Sequence, residues 1–126
     1  MKLQLSTLKN NFTIHRFPPD HEITDKVYES QFYSISRTAD ELSIVCDSTI
    51  QLNSEKFETG WSAIKVEGPL DFSLTGILAE ISTIFAEAEI SIFAISTFDT
   101  DYILVKSERL SSAKEALLKS GYTFKQ

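Results

Sequence analysis

Gly76 and Asp101 are the residues whose types and positions best suit the binding of a small charged molecule. Gly76 lies where a long helical pattern begins, and the free amides and positive dipole of a helix start favour a carboxylate. Glycine has no side chain, so a ligand can approach the backbone there. Asp101 lies at a turn between two strands and can supply the countercharge for an ammonium group. Together they predict a zwitterion site, with the carboxylate on the amides of Gly76 and Ile77 and the ammonium near Asp101.

Each of these residues also has a simpler interpretation. Gly76 suits close packing of a helix against a sheet, and Asp101 suits an ordinary solvated turn. Thr97 and Phe98 are expected to line the pocket as walls, although Phe98 is equally suited to a core. Asp71 is placed at the rim on its position alone.

Residues that could support catalysis or bind a metal are few and scattered. His15 and His21 belong to no spaced ligand motif, and the run Asp20-His21-Glu22 is better explained as an exposed loop. Cys46 ends an apolar run, so burial is expected rather than nucleophilic chemistry. Four glycines spread over the chain make no phosphate-binding loop. We therefore expect no enzymatic activity, no metal and no cofactor.

The composition restricts the class of protein further. The 126 residues include 12 Lys and Arg against 18 Asp and Glu, a net charge of −6 that argues against nucleic acid as a partner. A single cysteine forms no intramolecular disulfide. The N-terminus shows no apolar signal segment, and the apolar runs are far short of the roughly 18 residues of a membrane span. We expect a cytoplasmic protein with no membrane partner.

The second half of the chain carries the clearest pattern of helices and strands. Apolar residues at steps of three and four predict a helix near residues 73–88, with Asp71 or Ser73 as its cap. The stripe consists of Leu74, Ile77, Leu78, Ile81, Ile84, Phe85 and Ala88. The other expected elements are strands at 61–66, 90–98 and 102–106, a helix near 109–120 that Gly121 ends, and an edge strand at 122–124.

The first half is expected to be mostly strand. One hairpin is predicted over residues 3–17, with its turn at Asn10-Asn11, and a second joins 32–37 to 41–46. Residues 47–59 are polar and irregular. The predicted division of the chain is therefore a mostly β half at 1–59 and a helix-containing half at 60–126.

An internal repeat connects the two halves. Tyr33–Val45 overlays Phe93–Val105 without gaps and gives three identities over 13 positions. Chance similarity between two hairpins is the alternative, but each hairpin sits near the middle of its half, which favours a duplication. The first half would be a degenerate copy because it lacks the long amphipathic helix.

Two segments resemble the ACT domain family of regulatory modules that bind small molecules. The first runs from Gly76-Ile77-Leu78-Ala79 to Phe85-Ala86-Glu87-Ala88-Glu89-Ile90, where Glu89 stands in place of the glycine usual in the family. The second, Ile95–Val105, is similar to the Ser-Thr-Phe-x-x-Asp-x-Ile-Leu-Val segment of the tandem-ACT subgroup. That subgroup includes small bacterial proteins and the animal arginine-sensing CASTOR proteins. The same segment is also similar to aspartate kinase regulatory domains.

The resemblance implies an α+β, ferredoxin-like βαββαβ fold, with an antiparallel sheet and both helices on one face. It also implies a tandem arrangement with a degenerate N-terminal copy and a homodimer. The expected function is a regulatory or sensor module without catalysis that binds an amino acid. The alternative is a structural or protein-interaction module whose sheet mediates assembly only.

Overall fold

Eight strands and two α-helices form the regular structure of the computed structural model, which describes residues 4–67 and 76–125. In chain order they are β1 (Gln4–Thr7), β2 (Phe12–Phe17), β3 (Ser34–Arg37), β4 (Leu42–Asp47), β5 (Lys56–Val66), α1 (Ile77–Glu87), β6 (Ile92–Ser96), β7 (Asp101–Lys106), α2 (Leu110–Lys119) and β8 (Thr123–Phe124). Short 3-10 helices occupy Asp25–Glu29 and Ser107–Arg109.

The chain forms two units whose boundaries differ from the expected halves. Residues 10–61 form one, here called the strand unit, and residues 1–9 with 62–126 form the other, here called the helical unit. The difference arises from β1, which pairs with the C-terminal part of β5 and with β8. The N-terminal strand therefore belongs to the helical unit, although residues 10–61 separate it from the rest of that unit in sequence.

The helical unit has the expected order of strand, helix, two strands, helix and strand. Its strands are ordered β6-β7-β5-β1-β8, so β1 lies between the first and last strands of the motif. Leu5 pairs with Val66 in an antiparallel ladder, whereas Gln4 pairs with Thr123 in a short parallel one. β6 and β7 form the predicted antiparallel hairpin, in which Ser96 lies opposite Asp101.

Both helices of this unit pack on one apolar cluster, as the resemblance implied. The cluster joins buried residues of the strands to those of α1 and α2: Leu5, Ile64, Val66, Ile81, Phe85, Ile90, Ile103, Val105, Ala113, Leu117 and Tyr122. The predicted stripe supplies Ile81 and Phe85, which are almost fully buried. Helical periodicity therefore identified the face of α1 that stabilises the unit.

Both helices end in the same backbone motif, but only one ends with glycine. After α2, Gly121 has φ 100°, and Tyr122 N–H donates to the Leu117 carbonyl at 3.1 Å. After α1, Glu89 takes the same left-handed position with φ 59°. A side chain is strained in this conformation, as the departure at Glu89 indicated. Arg109 donates to the Glu89 carbonyl at 3.4 Å and so supports this helix end.

The Glu89→Gly variant is expected to raise the free energy of unfolding by about 1 kcal/mol, because it removes the strain of a side chain at positive φ. Gly121→Ala, at the equivalent position after α2, is the matched control and should lower it by a similar amount. Urea unfolding monitored by circular dichroism measures both. Equal or lower stability of Glu89→Gly would contradict this account of the helix end.

The strand unit forms its own ladder. β2 lies between β4 and β5, and β3 pairs with the other edge of β4. Short irregular segments cover the apolar face of this ladder in place of α-helices. Its core consists of Phe17, Val27, Leu42, Ile44 and Cys46, with Ile23, Ile35, Ile50 and Leu52 packed against it.

Two expectations for the first half were wrong. The hairpin predicted over residues 3–17 does not form, because β1 and β2 each pair with β5 and, in the described residues, not with each other. Residues 56–59, expected to be irregular, are the start of β5, where Phe57 lies opposite His15. The polar composition of that run concealed a strand whose side chains are mostly exposed.

The two hairpins of the predicted repeat have the same geometry, but their register differs from the sequence overlay by one residue. Arg37 pairs with Leu42 at the end of the first hairpin, and Ser96 pairs with Asp101 at the end of the second. The equivalent positions are thus 37 with 96 and 42 with 101, an offset of 59 rather than 60. Because side chains alternate along a strand, an error of one residue exchanges the two faces of the sheet.

The turns support this corrected register. Thr38 donates its N–H to the Glu41 carbonyl at 2.8 Å, and Thr97 does the same to Thr100 at 2.8 Å. The two threonine hydroxyls lie 3.3 and 3.1 Å from the same carbonyls. A threonine with the same bonds at the same place in both hairpins favours a common origin for the two.

His15 is a buried imidazole in the strand unit. Its Nδ1 lies 2.9 Å from the Ser54 hydroxyl, and its Nε2 has no hydrogen-bond partner in the described parts of the chain. Its ring lies beside those of Phe17 and Phe57, with centroid distances of 6.2 and 6.4 Å. Burial lowers the pKa of His15 below its ordinary value of 6.5 because the charged form loses solvation.

Stability is therefore expected to fall as the pH falls through 6.5, since the unfolded chain then binds a proton that folded His15 does not. The loss is at most about 1.4 kcal/mol per pH unit, until the lowered pKa is reached. Urea unfolding over a pH series should show a shallower slope for His15→Gln. Equal slopes for His15→Gln and the wild type would contradict the prediction.

Candidate functional site

The start of α1 is an open backbone position with a left-handed residue. Gly76 is the N-cap, with φ 87°, and no side chain caps the helix among the described residues. Its carbonyl accepts the Glu80 N–H at 2.8 Å. A Cβ added at Gly76 would meet no atom of residues 4–67 or 76–125 within 4 Å, so positive φ is the reason that favours glycine here. Within the described ranges, no side chain therefore accepts a hydrogen bond from the amides of the first turn.

This geometry corrects two details of the sequence interpretation. Gly76 precedes the helix instead of lying in its first turn, and Ile77 is the first helical residue, half-buried against the core. The N-cap is Gly76, whereas Ser73, one of the two caps expected from sequence, lies outside the described residues. Asp71 itself lies outside the described residues, so its place at the rim stays a prediction.

Asp101 lies on the helix-bearing face of the sheet. It begins β7, and the residues two and four positions on, Ile103 and Val105, belong to the cluster beneath the helices. Alternation along the strand therefore places all three side chains on that face. The Ser96 hydroxyl donates to Asp101 Oδ1 at 2.5 Å, while Oδ2 accepts no hydrogen bond from the parts of the chain described. As far as the described residues go, Oδ2 is therefore available to a cation.

Thr97 and Phe98 lie in the turn between β6 and β7. Thr97 is exposed, and both its N–H and its hydroxyl donate to the Thr100 carbonyl. Phe98 is 77% exposed at the tip of the turn, so it is not a core residue. The role of both as walls of a pocket stays a prediction.

Thr100 is a structural residue of the site that the sequence analysis missed. It is buried, and its hydroxyl donates to the Val66 carbonyl at the C-terminal end of β5. This bond ties the β6–β7 turn to the strand whose continuation leads to α1. Asp101 follows Thr100 directly, so its position is fixed relative to the end of β5. The sequence analysis placed only a turn between the two strands here, and the structure shows that the Thr100 hydroxyl is buried.

A second carboxylate lies at the same end of β5. The Ser6 hydroxyl donates to Glu67 at 2.5 Å, and Lys125 Nζ lies 4.0 Å from the carboxylate. The hydrogen bond from Ser6 is the main cause of a lowered pKa of Glu67; burial opposes it, and the charges of Lys65 and Lys125 add smaller lowering effects. Glu67 therefore stays charged at neutral pH, with donors already on its oxygens, and Asp101 is the more available anion.

The cysteine and the possible metal-binding residues offer little reactivity. Burial raises the pKa of the Cys46 thiol to about 11, with a smaller contribution from the charge of Asp47, so the thiolate that would act as nucleophile is scarce. Within residues 4–67 and 76–125, no three His, Cys, Asp or Glu side chains are grouped as a metal site. Neither α1 nor α2, the α-helices of those ranges, has the length and apolar character to cross a membrane.

Comparisons with known proteins connect this geometry to a family. A family model described as ACT domain matches residues 56–119, just over half of the chain, and a second model, described as an N-terminal domain, matches residues 10–50. The cytosolic arginine sensor for mTORC1 subunit 1 of Pongo abelii is 33% identical over 116 residues. That match covers 84% of this chain and 35% of the relative, so the chain spans about a third of the relative's length.

Solved structures show the same fold. An Agrobacterium tumefaciens protein matches with a TM-score of 0.91 at 33% identity, over 99% of this chain and 93% of that one. The regulatory subunit of aspartate kinase from Thermus thermophilus, in its ligand-free form, matches with a TM-score of 0.67 at 10% identity, over 96% and 99%. The first match extends over both units, and the second shows the fold alone. The matched segment 56–119 runs from the start of β5 to the end of α2 and contains Gly76 and Asp101, and the chain belongs to the ACT domain family.

Proposed function

We propose that the protein is a non-catalytic regulatory module that binds an amino acid in its helical unit, at the start of α1. Two separate observations support the proposal: Gly76 is an open, left-handed N-cap, and the carboxylate of Asp101 lies on the helix-bearing face of the sheet. A zwitterion needs a partner for each charge, and the helical unit contains a candidate for each.

The carboxylate of the ligand binds the backbone at the helix start. The amides of Gly76 and Ile77 lie where the helix dipole is positive, and the missing side chain at Gly76 leaves room for the ligand. This interaction requires the main chain only. It suits any amino acid and leaves the choice of side chain to other residues.

The ammonium group binds Asp101. One oxygen of this carboxylate is held by Ser96, which orients the other toward a cation. The bond from Thr100 to Val66 keeps the turn close to the strand that leads to α1. α1 is the element that follows β5 in the chain, and Thr100 is hydrogen-bonded to the last residue of β5.

Regulation rather than catalysis is supported by the relatives and by the chemistry of the chain. The matched relative is named as an arginine sensor, and the matched Thermus structure is a regulatory subunit. Cys46, the only cysteine, is buried and protonated. We extend the relative's designation as cytosolic to this protein, and we leave the identity of the amino acid to experiment.

A screen of the twenty amino acids by thermal unfolding, followed by calorimetry, tests the proposal. A ligand at 100 times its dissociation constant should add about 2.7 kcal/mol of stability. Saturable binding by at least one amino acid is expected. The absence of binding by all twenty would favour the alternative in which the ACT sheet mediates assembly only.

Replacement of Gly76 by alanine is expected to lower both stability and affinity. Positive φ costs about 1–2 kcal/mol for a residue with a side chain, and the added methyl group narrows the approach to the amides. Gly60→Ala is the matched control, since Gly60 also has positive φ and open space around it. Both variants should lose similar stability in urea unfolding, but only Gly76→Ala should lose affinity in calorimetry. Equal affinity of the two variants would place the ligand elsewhere.

We also propose a homodimer. β6 pairs only with β7 among the described strands, so its outer edge presents backbone N–H and C=O groups that can pair with a second copy. Light scattering at micromolar concentration should give twice the mass of the chain, and a monomer mass would overturn this part of the proposal.

A further inference from the structure

The strand unit has an apolar face that no α-helix covers. Under the corrected register of the two hairpins, Ile44 of β4 is equivalent to Ile103 of β7. Ile103 lies beneath α1 and α2 in the helical unit. Ile44 instead lies beneath the irregular segments at 18–33 and 48–55. Because α-helices cover Ile103 and irregular segments cover Ile44, the space above these two equivalent residues differs.

A cavity of about 250 Å³ lies at this position in the strand unit. The 3-10 helix Asp25–Glu29 contributes only Val27 as a buried side chain, and a helix of one short turn fills less volume than an α-helix. An apolar cavity of 150 Å³ is enough to hold benzene. Scaled by volume, the cavity of about 250 Å³ holds a molecule of about ten non-hydrogen atoms, the size of a small amino acid.

The floor of the cavity is apolar and its rim carries both charges. Phe17, Ile44 and Leu52 supply the apolar surface, and the first two are almost fully buried. Glu22 and Lys26 lie on the rim, and neither forms an ion pair or side-chain hydrogen bond with the described residues. An apolar pocket with a few polar groups of defined charge is the usual form of a small-molecule site.

The wall that carries Glu22 is held in place. Arg37 donates from its guanidinium to the backbone carbonyls of Pro19 and His21, the latter at 2.8 Å. The His21 ring stacks on Phe17 with a centroid distance of 4.5 Å and an angle of 21°. These contacts orient the loop before any ligand arrives, which lowers the entropy cost of binding.

We propose that this cavity is a second ligand site, which takes a small zwitterion with an apolar side chain. The apolar group lies on Phe17, Ile44 and Leu52, the carboxylate binds Lys26, and the ammonium group binds Glu22. The site uses only residues of the strand unit and does not depend on the site at α1.

The two histidines allow a direct test with L-leucine as the probe. In NMR spectra of the full chain, L-leucine at millimolar concentration should shift the imidazole C–H resonances of His21 in a saturable manner. Isoamylamine lacks the carboxylate and isocaproate lacks the ammonium group, so each should bind at least tenfold more weakly. Lys26→Gln and Glu22→Gln, both at exposed positions, should each raise the dissociation constant by about tenfold or more. Lys56→Gln, an exposed lysine outside the cavity, is the matched control and should bind as the wild type does.

An unchanged His21 resonance with leucine, and also with the larger phenylalanine, would overturn the proposal. Wild-type affinity in both Lys26→Gln and Glu22→Gln would overturn it as well. The Asp101→Asn variant should keep the His21 shift, because that residue belongs to the other unit. The two sites can therefore fail separately, one through His21 and the other through the amides of Gly76 and Ile77.

Discussion

Replacement of Phe85 by alanine is expected to lower the free energy of unfolding by about 3–5 kcal/mol, the largest effect of any single change considered for this chain. Phe85 is fully buried in the face of α1 that contacts the sheet, where Ile81 and Leu117 belong to the same cluster. Its removal loses apolar burial and leaves a cavity that closely packed neighbours cannot fill. Urea unfolding, monitored by the circular dichroism of the helices, measures the loss of unfolding free energy.

Two further variants keep this prediction testable if Phe85→Ala does not fold. Phe85→Leu retains most of the apolar volume and should lose about 1–2 kcal/mol. Phe98→Ala, at a side chain that is 77% exposed, should change stability by less than about 0.5 kcal/mol. A Phe85→Leu protein as stable as the wild type would show that α1 does not depend on this contact.

Replacement of Asp101 by asparagine is expected to weaken amino-acid binding by about ten- to a hundredfold. The substitution removes a charge-assisted hydrogen bond, which contributes about 1.5–3 kcal/mol. The asparagine carbonyl can still accept the hydrogen bond from Ser96, so the turn should keep its geometry. Stability should be nearly unchanged, because a partly exposed carboxylate contributes little to folding.

Asp99→Asn is the matched control for this variant. Asp99 carries the same charge in the same turn but is exposed and lies before the strand. Calorimetry with the strongest ligand from the screen should show affinity within about twofold of the wild type for Asp99→Asn, since only long-range, screened charge is lost. Equal affinities of Asp101→Asn and wild type would remove Asp101 from the site.

The helical unit could be predicted from sequence because its signals are local. The stripe that includes Ile81 and Phe85 identified the buried face of α1, and the glycine after α2 marked its end. Glu89 was identified as a departure from the family, and the structure confirms that it takes the left-handed conformation. Such features depend on a few neighbouring residues, which a single sequence displays.

The position of β1 could not be predicted in the same way. Leu5 pairs with Val66 and Gln4 with Thr123, so its partners lie about 60 and 120 positions away. The nearby turn at Asn10-Asn11 favoured a local hairpin, because proximity in sequence is the usual guide to strand pairing. The alternation of apolar and polar residues in a four-residue strand does not indicate which distant strands it pairs with.

The register of the internal repeat could be determined only from the turns of the two hairpins. Identities at an offset of 60 matched residues of similar type but opposite face, while the threonine bonds of Thr38 and Thr97 define the true offset of 59. Turn geometry fixes the register of a hairpin, and composition does not. The irregular cover of the strand unit, and hence its cavity, likewise follows from packing that no periodic pattern encodes.

The candidate site was only partly accessible to sequence reasoning. The sequence indicated Gly76 as a helix start that favours an anion and Asp101 as a countercharge for a cation. The structure shows that Gly76 is an open N-cap and that Asp101 lies on the helix-bearing face of the sheet. Thr100 was missed because a threonine in a polar turn gives no sign that its hydroxyl is buried. Its contribution depends on the end of β5, which lies 34 positions away.

The central claim is that an amino acid binds with its carboxylate at the start of α1. The most direct measurement follows the backbone amide resonances of Gly76 and Ile77 in the ¹⁵N-labelled full chain while the strongest ligand from the amino-acid screen is added. We predict that both amides shift in a saturable manner, at the dissociation constant given by calorimetry. Unchanged amides at saturation with that ligand would contradict the account, as would the failure of every amino acid to move them.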